Sequence, residues 1–404
     1  MVESMSASSS FLRRVAASCT AASIGAPATA SRSAASAAPA SVPSGRWKSA
    51  AISCASQSMR LAPTAREALS ARPGERSGRE GLAISVATSD MGEPWSVSGK
   101  AAGKGPLKGA TLIAGPTASG KSALALKLAR ETGGVIVNAD SMQVYAGLRL
   151  LTARPDAADE AEAPHLLYGH VDPAESYSTG RYMRDVAALA GEGAFAGRPA
   201  IFVGGTGLYF RALLQGLSEM PAVPDAVRQK WRAAARQEGA AALHRLLRER
   251  DPAAAASIHA ADAQRIVRAL EVEEASGRPI SHWRKASGAP AVDTGSARLF
   301  VIEPDRDELA ARISRRFDAM LDRGALEEAR AIGARGLDPA LPAMKAIGLR
   351  ELLAADRGEM TFAEAVERAK TATRQYAKRQ MTWFRNQFGP EWRRIAVGEA
   401  VGPR

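Results

Sequence analysis

The octapeptide at 115–122, GPTASGKS, constrains this chain more than any other stretch, because it fits the phosphate-loop pattern G-x-x-x-x-G-K-[ST] at every fixed position. An apolar run at 110–114 precedes it and an amphipathic run at 123–129 follows it, which predicts a strand, a loop and a helix. In such a loop the backbone N–H groups surround an anion, the lysine contacts phosphate and the last hydroxyl binds magnesium. The alternative is a glycine-rich turn without a ligand. We predict that phosphate is held by Gly115, Pro116, Thr117, Ala118, Ser119, Gly120, Lys121 and Ser122, with Ser122 as the magnesium ligand.

The composition indicates a chain long enough for two domains, with an unusual charge. There are 404 residues, and the formal net charge is +12. Such a charge favours nucleic acid, an anionic membrane or a polyanionic substrate as partner, although an arginine-rich genomic bias has the same effect. Both cysteines, Cys19 and Cys54, lie near the N-terminus, so the sequence predicts neither a disulfide framework nor a thiolate zinc site. No apolar run approaches 18 residues, and we therefore expect no membrane partner.

Residues 1–105 differ from the rest, being rich in Ala, Ser, Arg, Gly and Pro. Such a segment buries too little apolar surface to offset its ordering entropy, so we predict a disordered extension. It has three interpretations: an organellar transit peptide, a flexible basic arm, or a region upstream of a true start at Met91. We favour the last, and therefore expect a cytoplasmic protein, with an organellar one as the alternative.

The remaining sequence predicts an α/β fold with a phosphate-loop core, a parallel sheet and added helices. Strand-like runs recur at 110–114, 134–138, 166–171 and 199–203, with amphipathic stretches between them. The segment from 223 to 296 is helical in pattern, and a strand-like run at 298–302 returns to the sheet. The predicted parts are a core at 106–222, a helical insertion at 223–296, a return strand with C-terminal helices at 297–390, and a tail at 391–404.

Two further strand ends carry residues suited to chemistry. The run at 135–138 leads into Asp140, and ligands gather at the carboxyl ends of parallel strands. A carboxylate there can accept a proton from a nucleophile or bind magnesium through water, whereas the alternative is an Asx turn or a helix cap. The run at 200–203 leads into Gly-Gly-Thr-Gly, where backbone can approach a ligand closely and Thr206 can contact it. A plain tight turn is the alternative.

Two stretches with a helical pattern carry clusters of cationic side chains. At helical spacing, Gln264, Arg265 and Arg268 share a polar face, which suits phosphate and base contacts unless it is simply solvated. Residues 365–394 hold eight Lys or Arg and two acids, interleaved with Tyr376, Trp383 and other rings. This pattern favours a nucleic-acid groove, although the rings can also belong to the core of an amphipathic helix.

Taken together, these segments resemble the tRNA dimethylallyltransferase family. Six matching stretches occur in the family's order and span about 110–390, and they lie at 115–122, 138–145, 152–155, 204–209, 264–271 and 374–385. The resemblance departs at Leu151 and Arg154, where the family commonly has Gly and Lys, which puts the role of Arg154 in doubt. The N-terminal hundred residues match nothing in the family.

The resemblance implies a prenyl transfer to tRNA. The dimethylallyl group of dimethylallyl diphosphate moves to N6 of adenosine 37, beside the anticodon, in tRNAs that read codons beginning with U. Asp140 is then the general base, Thr206 orients the amine or a diphosphate oxygen, and the phosphate loop holds the diphosphate with Mg²⁺. The implied contacts with the anticodon stem-loop are Asp140, Ser141, Met142, Gln143, Thr206, Arg228, Gln264, Arg265, Ile266, Val267 and Arg268. We expect a monomer.

Two other function classes fit parts of the pattern. A small-molecule kinase of the ATP-binding, nucleotide-binding phosphate-loop type explains the loop but not the basic helices. A non-catalytic nucleic-acid-binding protein explains the charge but gives Asp140 no role. The prenyl transfer accounts for both, because ionisation of an allylic diphosphate requires a stabilised leaving group and a positioned nucleophile.

Overall fold

A six-stranded parallel sheet forms the centre of the protein. The computed structural model describes residues 105–195, 197–285 and 288–402. The order of the strands across the sheet is β3-β2-β4-β1-β5-β6, and every neighbouring pair is parallel. The strands are β1 Thr111–Ala114, β2 Val135–Asn138, β3 His165–Leu166, β4 Ala200–Gly204, β5 Arg298–Ile302 and β6 Arg393–Ile395. The predicted α/β fold is thereby confirmed.

Thirteen α-helices accompany the sheet in the described ranges, with a short 3₁₀ turn at Ala343–Lys345. They are α1 Lys121–Thr132, α2 Ala157–Glu162, α3 Thr179–Gly191, α4 Gly207–Gln215, α5 Asp225–Glu238, α6 Ala240–Arg250, α7 Pro252–Ser257, α8 Ala263–Ser276, α9 Ile280–Trp283, α10 Arg306–Asp322, α11 Ala325–Gly333, α12 Leu349–Asp356 and α13 Phe362–Gln387.

Both faces of the sheet are buried under helices. Successive residues of a strand point to opposite sides, so each strand contributes side chains to both cores. In β1, Leu112 and Ala114 join the larger core, to which α3, α4 and the C-terminal helices contribute. Ile113 faces the other side, where it packs with residues of α1 such as Leu128. The three central strands are therefore held rigidly, and so are the loops at their ends.

Helices α5 to α9 surround a core of their own. Trp231, Leu247 and Ile266 are among its buried members. Within this segment the sequence predicts helices over 227–250 and 263–276. The first is divided into α5 and α6, because Gly239 has a φ of 79° and interrupts the helix, whereas the second is α8.

Two expectations for the sheet need correction. The predicted strand at 166–171 is reduced to His165–Leu166, because Leu167 has a φ of 63° and leaves the extended region. The predicted tail at 391–404 contains β6, which pairs with β5 at the sheet edge. Trp392 precedes that strand, is buried and stacks on Phe388 at 3.7 Å between ring centroids. The burial of this ring and the backbone pairing fix a segment that lacks a long apolar run.

The predictions for residues 1–104, including the disordered extension, lie outside the described residues. Within the ranges that the structure describes, no helix is both long and apolar enough to span a membrane.

Candidate active site

Three loops that the sequence predicted meet at the carboxyl ends of the strands. The phosphate loop follows β1, the Asp140 loop follows β2, and the Thr206 loop follows β4, which lies between the other two strands. Because all strands are parallel, the carboxyl ends of β1, β2 and β4 lie on the same side of the sheet, and the three loops leave from there. The sequence-predicted residues of the core thus share one site.

The phosphate loop is shaped to expose backbone donors. Gly120 and Ala118 both have positive φ, 84° and 64°, and α1 begins immediately afterwards without a side-chain cap. Ser119 is buried, and its hydroxyl makes no hydrogen bond within the described part of the chain. Uncapped first-turn N–H groups and a buried free hydroxyl are the donors that an anion requires.

Two cations, the buried Lys121 and the half-buried Arg316, lie beside this loop. Lys121 is 8% exposed and donates to the Pro116 carbonyl at 3.2 Å. Burial lowers the pKa of Lys121 to about 8, with Asp140 opposing and Arg316 assisting the shift. Arg316, on α10, donates to the Thr117 hydroxyl, and burial lowers its pKa to about 10 against the attraction of Asp140. A negative ligand between these cations relieves their mutual repulsion.

A cavity of about 540 Å³ opens at the phosphate loop. Its walls are residues 118–122 and three arginines of α10, Arg312, Arg315 and Arg316. The three lie at i, i+3 and i+4 and therefore share one helix face. Arg312 is paired with Glu308 at 2.7 Å, whereas Arg316 hydrogen-bonds the Thr117 hydroxyl of the loop. A cavity with such a lining suits a polyanion.

The loop after β2 holds the Asp140 carboxylate in a fixed position. Asn138 accepts from the Asp140 N–H at 2.8 Å, and its amide donates to the Asp140 and Leu167 carbonyls, both at 3.0 Å. Asp140 Oδ1 accepts from the Met142 N–H at 2.9 Å, an Asx turn of the kind that the sequence left open. Oδ2 lies near Gly205 on the next loop. The turn and a chemical role for Asp140 therefore coexist.

The loop after β4 packs directly on the Asp140 loop. A Cβ atom at Gly204 would lie 2.0 Å from the Ala139 carbonyl oxygen, so only glycine fits there. Thr206 Oγ1 accepts from the Ser141 N–H at 2.9 Å and donates to the Ser141 hydroxyl at 3.2 Å. The Thr206 hydroxyl is therefore engaged with its neighbouring loop, and its observed contacts are with Ser141.

Three tyrosines lie within electrostatic range of the Asp140 carboxylate. Burial raises the pKa of the Tyr168, Tyr209 and Tyr376 phenols far above their usual range, and the charge of Asp140 raises it further. All three phenols stay neutral at physiological pH.

Gln143 and Arg154 lie farther along the same segment and face inward. The Gln143 amide donates to the Thr152 and Ala153 carbonyls at 2.8 and 2.9 Å. Arg154 packs on Gly169 and donates to the Tyr145 carbonyl at 3.3 Å. These contacts hold loops together, so in this structure the Gln143 amide is occupied by backbone, whereas Ser141 and Met142 remain half-exposed.

The predicted tRNA contacts of the insertion separate into exposed and buried residues. On α8, Gln264 and Arg265 are exposed and Arg268 is half-exposed. Ile266 and Val267 lie in the core of the insertion, at 0% and 8% exposure, so their prediction as tRNA contacts is wrong for their side chains. Helical periodicity places them on the face opposite the polar one. Arg228, on α5, is half-exposed, and its ion-pair partner, Asp225, is 3.7 Å away.

Helix α13 presents different residues to its two sides. Phe384 is buried and Trp383 is partly buried on the inner side, where a Cβ at Gly207 would lie 2.0 Å from the Trp383 ring. Lys378 and Arg379 are exposed on the outer side and line a hollow of about 330 Å³ with Trp383. Lys370, in contrast, pairs with Asp318 at 2.7 Å and anchors α13 to α10. The basic and aromatic stretch thus serves both the core and the surface.

Comparison with known proteins identifies the family. Residues 143–387 match the family described as IPP transferase, and residues 108–165 match the family described as isopentenyl transferase. The chain belongs to the tRNA dimethylallyltransferase family. The tRNA dimethylallyltransferase of Mesorhizobium japonicum is 60% identical over 75% of this chain and 94% of its own, and that of a Chelativorans species is 62% identical over 72% and 100%.

Solved structures of this family share the fold. The tRNA isopentenylpyrophosphate transferase of Bacillus halodurans is 33% identical, with a TM-score of 0.51, and the match covers 72% of this chain and 90% of that one. A eukaryotic dimethylallyltransferase, solved while acting on tRNA, gives a TM-score of 0.60 at 26% identity, covering 72% and 74%. The suspected family is confirmed.

Sequence reasoning missed two residues of the site. Arg316 could have been found, because Arg312, Arg315 and Arg316 are spaced to share a helix face, a pattern that predicts a basic patch. The inward role of Gln380 on α13 carries no local signal, because its partners lie 263 and 175 residues away. Both residues contact loops that the sequence had identified.

The lowered pKa of Lys121 predicts that diphosphate affinity depends on pH. The affinity of wild type relative to Lys121→Met should be high at pH 7 and should fall as pH rises above about 8, because the free ammonium is lost there. Isothermal titration with inorganic pyrophosphate at pH 7 to 9.5 measures this ratio, in which the ionisation of pyrophosphate itself cancels. A ratio that stays flat would show that Lys121 is not the titrating group.

The same variant has a stability control. The pKa of Lys121 is lowered in the folded state, so the unfolded chain binds more protons between about pH 8 and 10.5. The free energy of unfolding of wild type should therefore rise relative to Lys121→Met across this window, and at pH 7 the variant should melt at the higher temperature. Weaker pyrophosphate binding by a more stable variant cannot come from unfolding.

Proposed function

We propose that this protein transfers the dimethylallyl group of dimethylallyl diphosphate to N6 of adenosine 37, beside the anticodon, in tRNAs that read codons beginning with U. The products are N6-(dimethylallyl)adenosine and diphosphate, and the protein acts as a monomer. One observation supports this most: the phosphate loop and the Asp140 loop leave the parallel sheet at the same ends of β1 and β2, and the Asp140 carboxylate lies within electrostatic range of Lys121 and Arg316. An anion-binding loop and a lone acid thus face the same space.

The cationic side of the site holds the leaving group. When the C1–O bond of an allylic diphosphate breaks, negative charge develops on the diphosphate. Lys121, Arg316 and the free Ser119 hydroxyl lie at the loop to receive that charge. Because these groups are fixed and largely shielded from water, they stabilise the charge without reorganising. The loop here holds the leaving group and transfers no phosphoryl group.

Magnesium fits this arrangement as an ion that arrives with the diphosphate. Mg²⁺ is typically held by a hydroxyl or carboxylate together with phosphate oxygens and water. Ser122, at the start of α1, supplies the hydroxyl. In the described part of the chain no group of three or more His, Cys, Asp or Glu forms a metal cluster, and a magnesium ion held by Ser122 would take its other ligands from phosphate oxygens and water. Bound there, the ion neutralises diphosphate charge.

The acidic side of the site serves the nucleophile. As the adenine N6–C1 bond forms, N6 becomes acidic and must lose a proton. Asp140 is placed to accept it, since Oδ1 is held by the Met142 N–H while Oδ2 points toward Gly205. Thr206 fixes the Ser141 backbone beside the acid and so orients the loop. The half-buried ring of Tyr376, which lies within electrostatic range of Asp140, offers an apolar surface for a flat base.

The tRNA side of the proposal rests on two exposed cationic surfaces. One is the outer side of α13, with Lys378, Arg379 and the hollow beside Trp383. The other is the insertion, where Arg265 and Arg228 have side-chain exposures of 67% and 39%. Cations bind the phosphate backbone and rings stack on unpaired bases. An adenine inside the loop must also leave its stack to reach Asp140.

The test is transfer of label by the wild-type protein. Incubation of the protein with Mg²⁺, dimethylallyl diphosphate labelled in the prenyl group, and unmodified tRNA should leave label on adenosine 37, detectable after nuclease digestion. A tRNA with guanosine at position 37 is the control and should remain unlabelled. Absence of label, with ATP hydrolysed when a small acceptor is offered, would instead support a kinase.

The contribution of α13 to tRNA binding is testable through salt. Lys378→Ala combined with Arg379→Ala should weaken binding of the anticodon stem-loop and reduce the salt-dependence slope by about one unit per lost phosphate contact. The double variant Lys127→Ala with Arg130→Ala on α1, which removes two cations that are about half exposed, is the matched control and should keep the wild-type slope. Equal slopes in all three proteins would place Lys378 and Arg379 outside the tRNA interface.

A further inference from the structure

Gln380 joins the two sides of the site through hydrogen bonds. Its side chain is buried, at 5% exposure, on the inner side of α13. Oε1 accepts from the Thr117 N–H of the phosphate loop at 2.9 Å. Nε2 donates to the Gly205 carbonyl of the loop after β4 at 3.0 Å. One carboxamide therefore bridges the loop proposed to hold the leaving group and the loop that packs on the acid.

The bridge leads directly to Asp140. A Cβ atom at Gly205 would lie 2.1 Å from Gln380 Nε2 and 3.2 Å from Asp140 Oδ2, so Gly205, which accepts from the Gln380 amide, also lies close to the Asp140 carboxylate. The next residue, Thr206, holds Ser141 through its hydroxyl. A shift of the Gln380 amide is therefore felt at the phosphate loop and at the Asp140 loop together.

The helix that carries Gln380 also carries the proposed tRNA surface. On the helix, Gln380 lies between Ala377, which is buried against α10, and Trp383, which packs on Gly207. Lys378 and Arg379 precede Gln380 directly in sequence and are exposed. A single helix thus carries the proposed tRNA surface on one side and contacts the phosphate loop on the other.

We propose that Gln380 is a positioning residue that sets the phosphate loop against the Asp140 loop and, through α13, couples diphosphate binding to tRNA binding. This inference rests on the proposed function. The carboxamide suits the task because it offers one acceptor and one donor on a short, planar group. Neither partner is a side chain, so each bond constrains backbone.

The first test removes both bonds. Gln380→Met keeps the length and burial of the side chain but leaves the Thr117 N–H and the Gly205 carbonyl without their partner. We expect inorganic pyrophosphate with Mg²⁺ to bind more weakly, and single-turnover transfer to fall about 10- to 100-fold, since misplacement by about 1 Å costs as much as 10²-fold. Gln375→Met, an exposed glutamine on the same helix, is the matched control for the exchange and should keep the wild-type pyrophosphate affinity.

The second test separates positioning from mere stability. The Kd of the anticodon stem-loop is measured with and without saturating pyrophosphate, and the ratio of the two values is the coupling. For wild type we expect a ratio of about fivefold or more, the lower end of typical coupling between sites, and for Gln380→Met a ratio close to one. A purely structural role would lower the melting temperature but leave the ratio at its wild-type value.

A second variant approaches the bridge from its other end. Gly205→Ala places a methyl group against the Gln380 amide and displaces it while leaving α13 unchanged, so the coupling should again be lost. If Gln380→Met does not fold, Gly205→Ala tests the same bridge. The inference is overturned if the coupling ratio of the wild-type protein is one. It is also overturned if both variants keep the ratio and the rate of the wild-type protein, even when prenyl transfer is intact. Absence of transfer by wild type overturns the proposed function, and the pyrophosphate affinity of the variants still decides whether Gln380 positions the phosphate loop.

Discussion

Replacing Asp140 by Asn should lower the single-turnover rate of prenyl transfer by about 10²–10⁴, the range typical for loss of a general base, while tRNA binding is largely kept. The substitution preserves shape, and an Asn oxygen can still accept from the Met142 N–H, as Asp140 Oδ1 does at 2.9 Å. What is lost is the group that receives the N6 proton. Rate is measured with labelled dimethylallyl diphosphate and excess protein, and binding by titration of labelled tRNA.

Asp338→Asn is the matched control for this substitution. Asp338 is exposed, and its Oδ1 accepts from the Ala340 N–H at 2.8 Å, the same turn that Asp140 makes with Met142. The control should therefore keep the wild-type rate. A parallel loss of rate and tRNA affinity in Asp140→Asn would assign the acid to binding and remove it as the base.

The loops of the site were predictable because their chemistry is local. A phosphate loop requires its glycines, lysine and hydroxyl within eight consecutive residues, and strand periodicity places Asp140 and Thr206 at strand ends. The parallel sheet then brings these ends together. Helix α8 was likewise predictable from its own spacing, as Ala263–Ser276.

The contacts between the loops were not predictable, because they depend on residues far apart in the chain. Gln380 contacts Thr117 across 263 positions, and Arg316 contacts the same residue across 199. No local pattern distinguishes a buried glutamine that bridges two loops from an exposed one such as Gln375. Only the packing of α13 against α10 and the sheet makes that difference.

Family resemblance and periodicity disagree at Ile266 and Val267. The resemblance places the stretch 264–268 in contact with tRNA, whereas the helical period turns Ile266 and Val267 into the core of the insertion. The structure follows the period. A motif identifies a helix that is used in binding, and only the helix geometry tells which of its side chains are available.

Replacing Arg316 by Met should lower kcat/KM for dimethylallyl diphosphate by about 10²–10³, the usual effect of removing one fixed donor to a developing negative charge. The arginine contacts the Thr117 hydroxyl, lines the cavity and lies within electrostatic range of Asp140. The loss should fall on the diphosphate, so the affinity for inorganic pyrophosphate should drop while tRNA affinity is retained. Steady-state kinetics and pyrophosphate titration measure the two effects.

The same substitution has a second consequence, because Arg316 depresses the pKa of Lys121 by charge repulsion. Without Arg316, the pKa of Lys121 should rise above about 8, and the loss of pyrophosphate affinity with increasing pH should begin at a higher pH. In Asp140→Asn the opposite shift is expected, since the carboxylate raises that pKa. Neither shift follows from a general loss of structure.

Arg315→Met is the control that separates a specific contact from the field of the whole cavity. Arg315 lines the same cavity and is exposed, whereas Arg316 alone of the two hydrogen-bonds the loop. Because water screens an exposed cation, Arg315 should stabilise the diphosphate less than Arg316 does, and its removal should lower kcat/KM by less than about tenfold. If both variants lose activity equally, the diphosphate is held by the summed charge of α10, and Arg316 has no special place in the site.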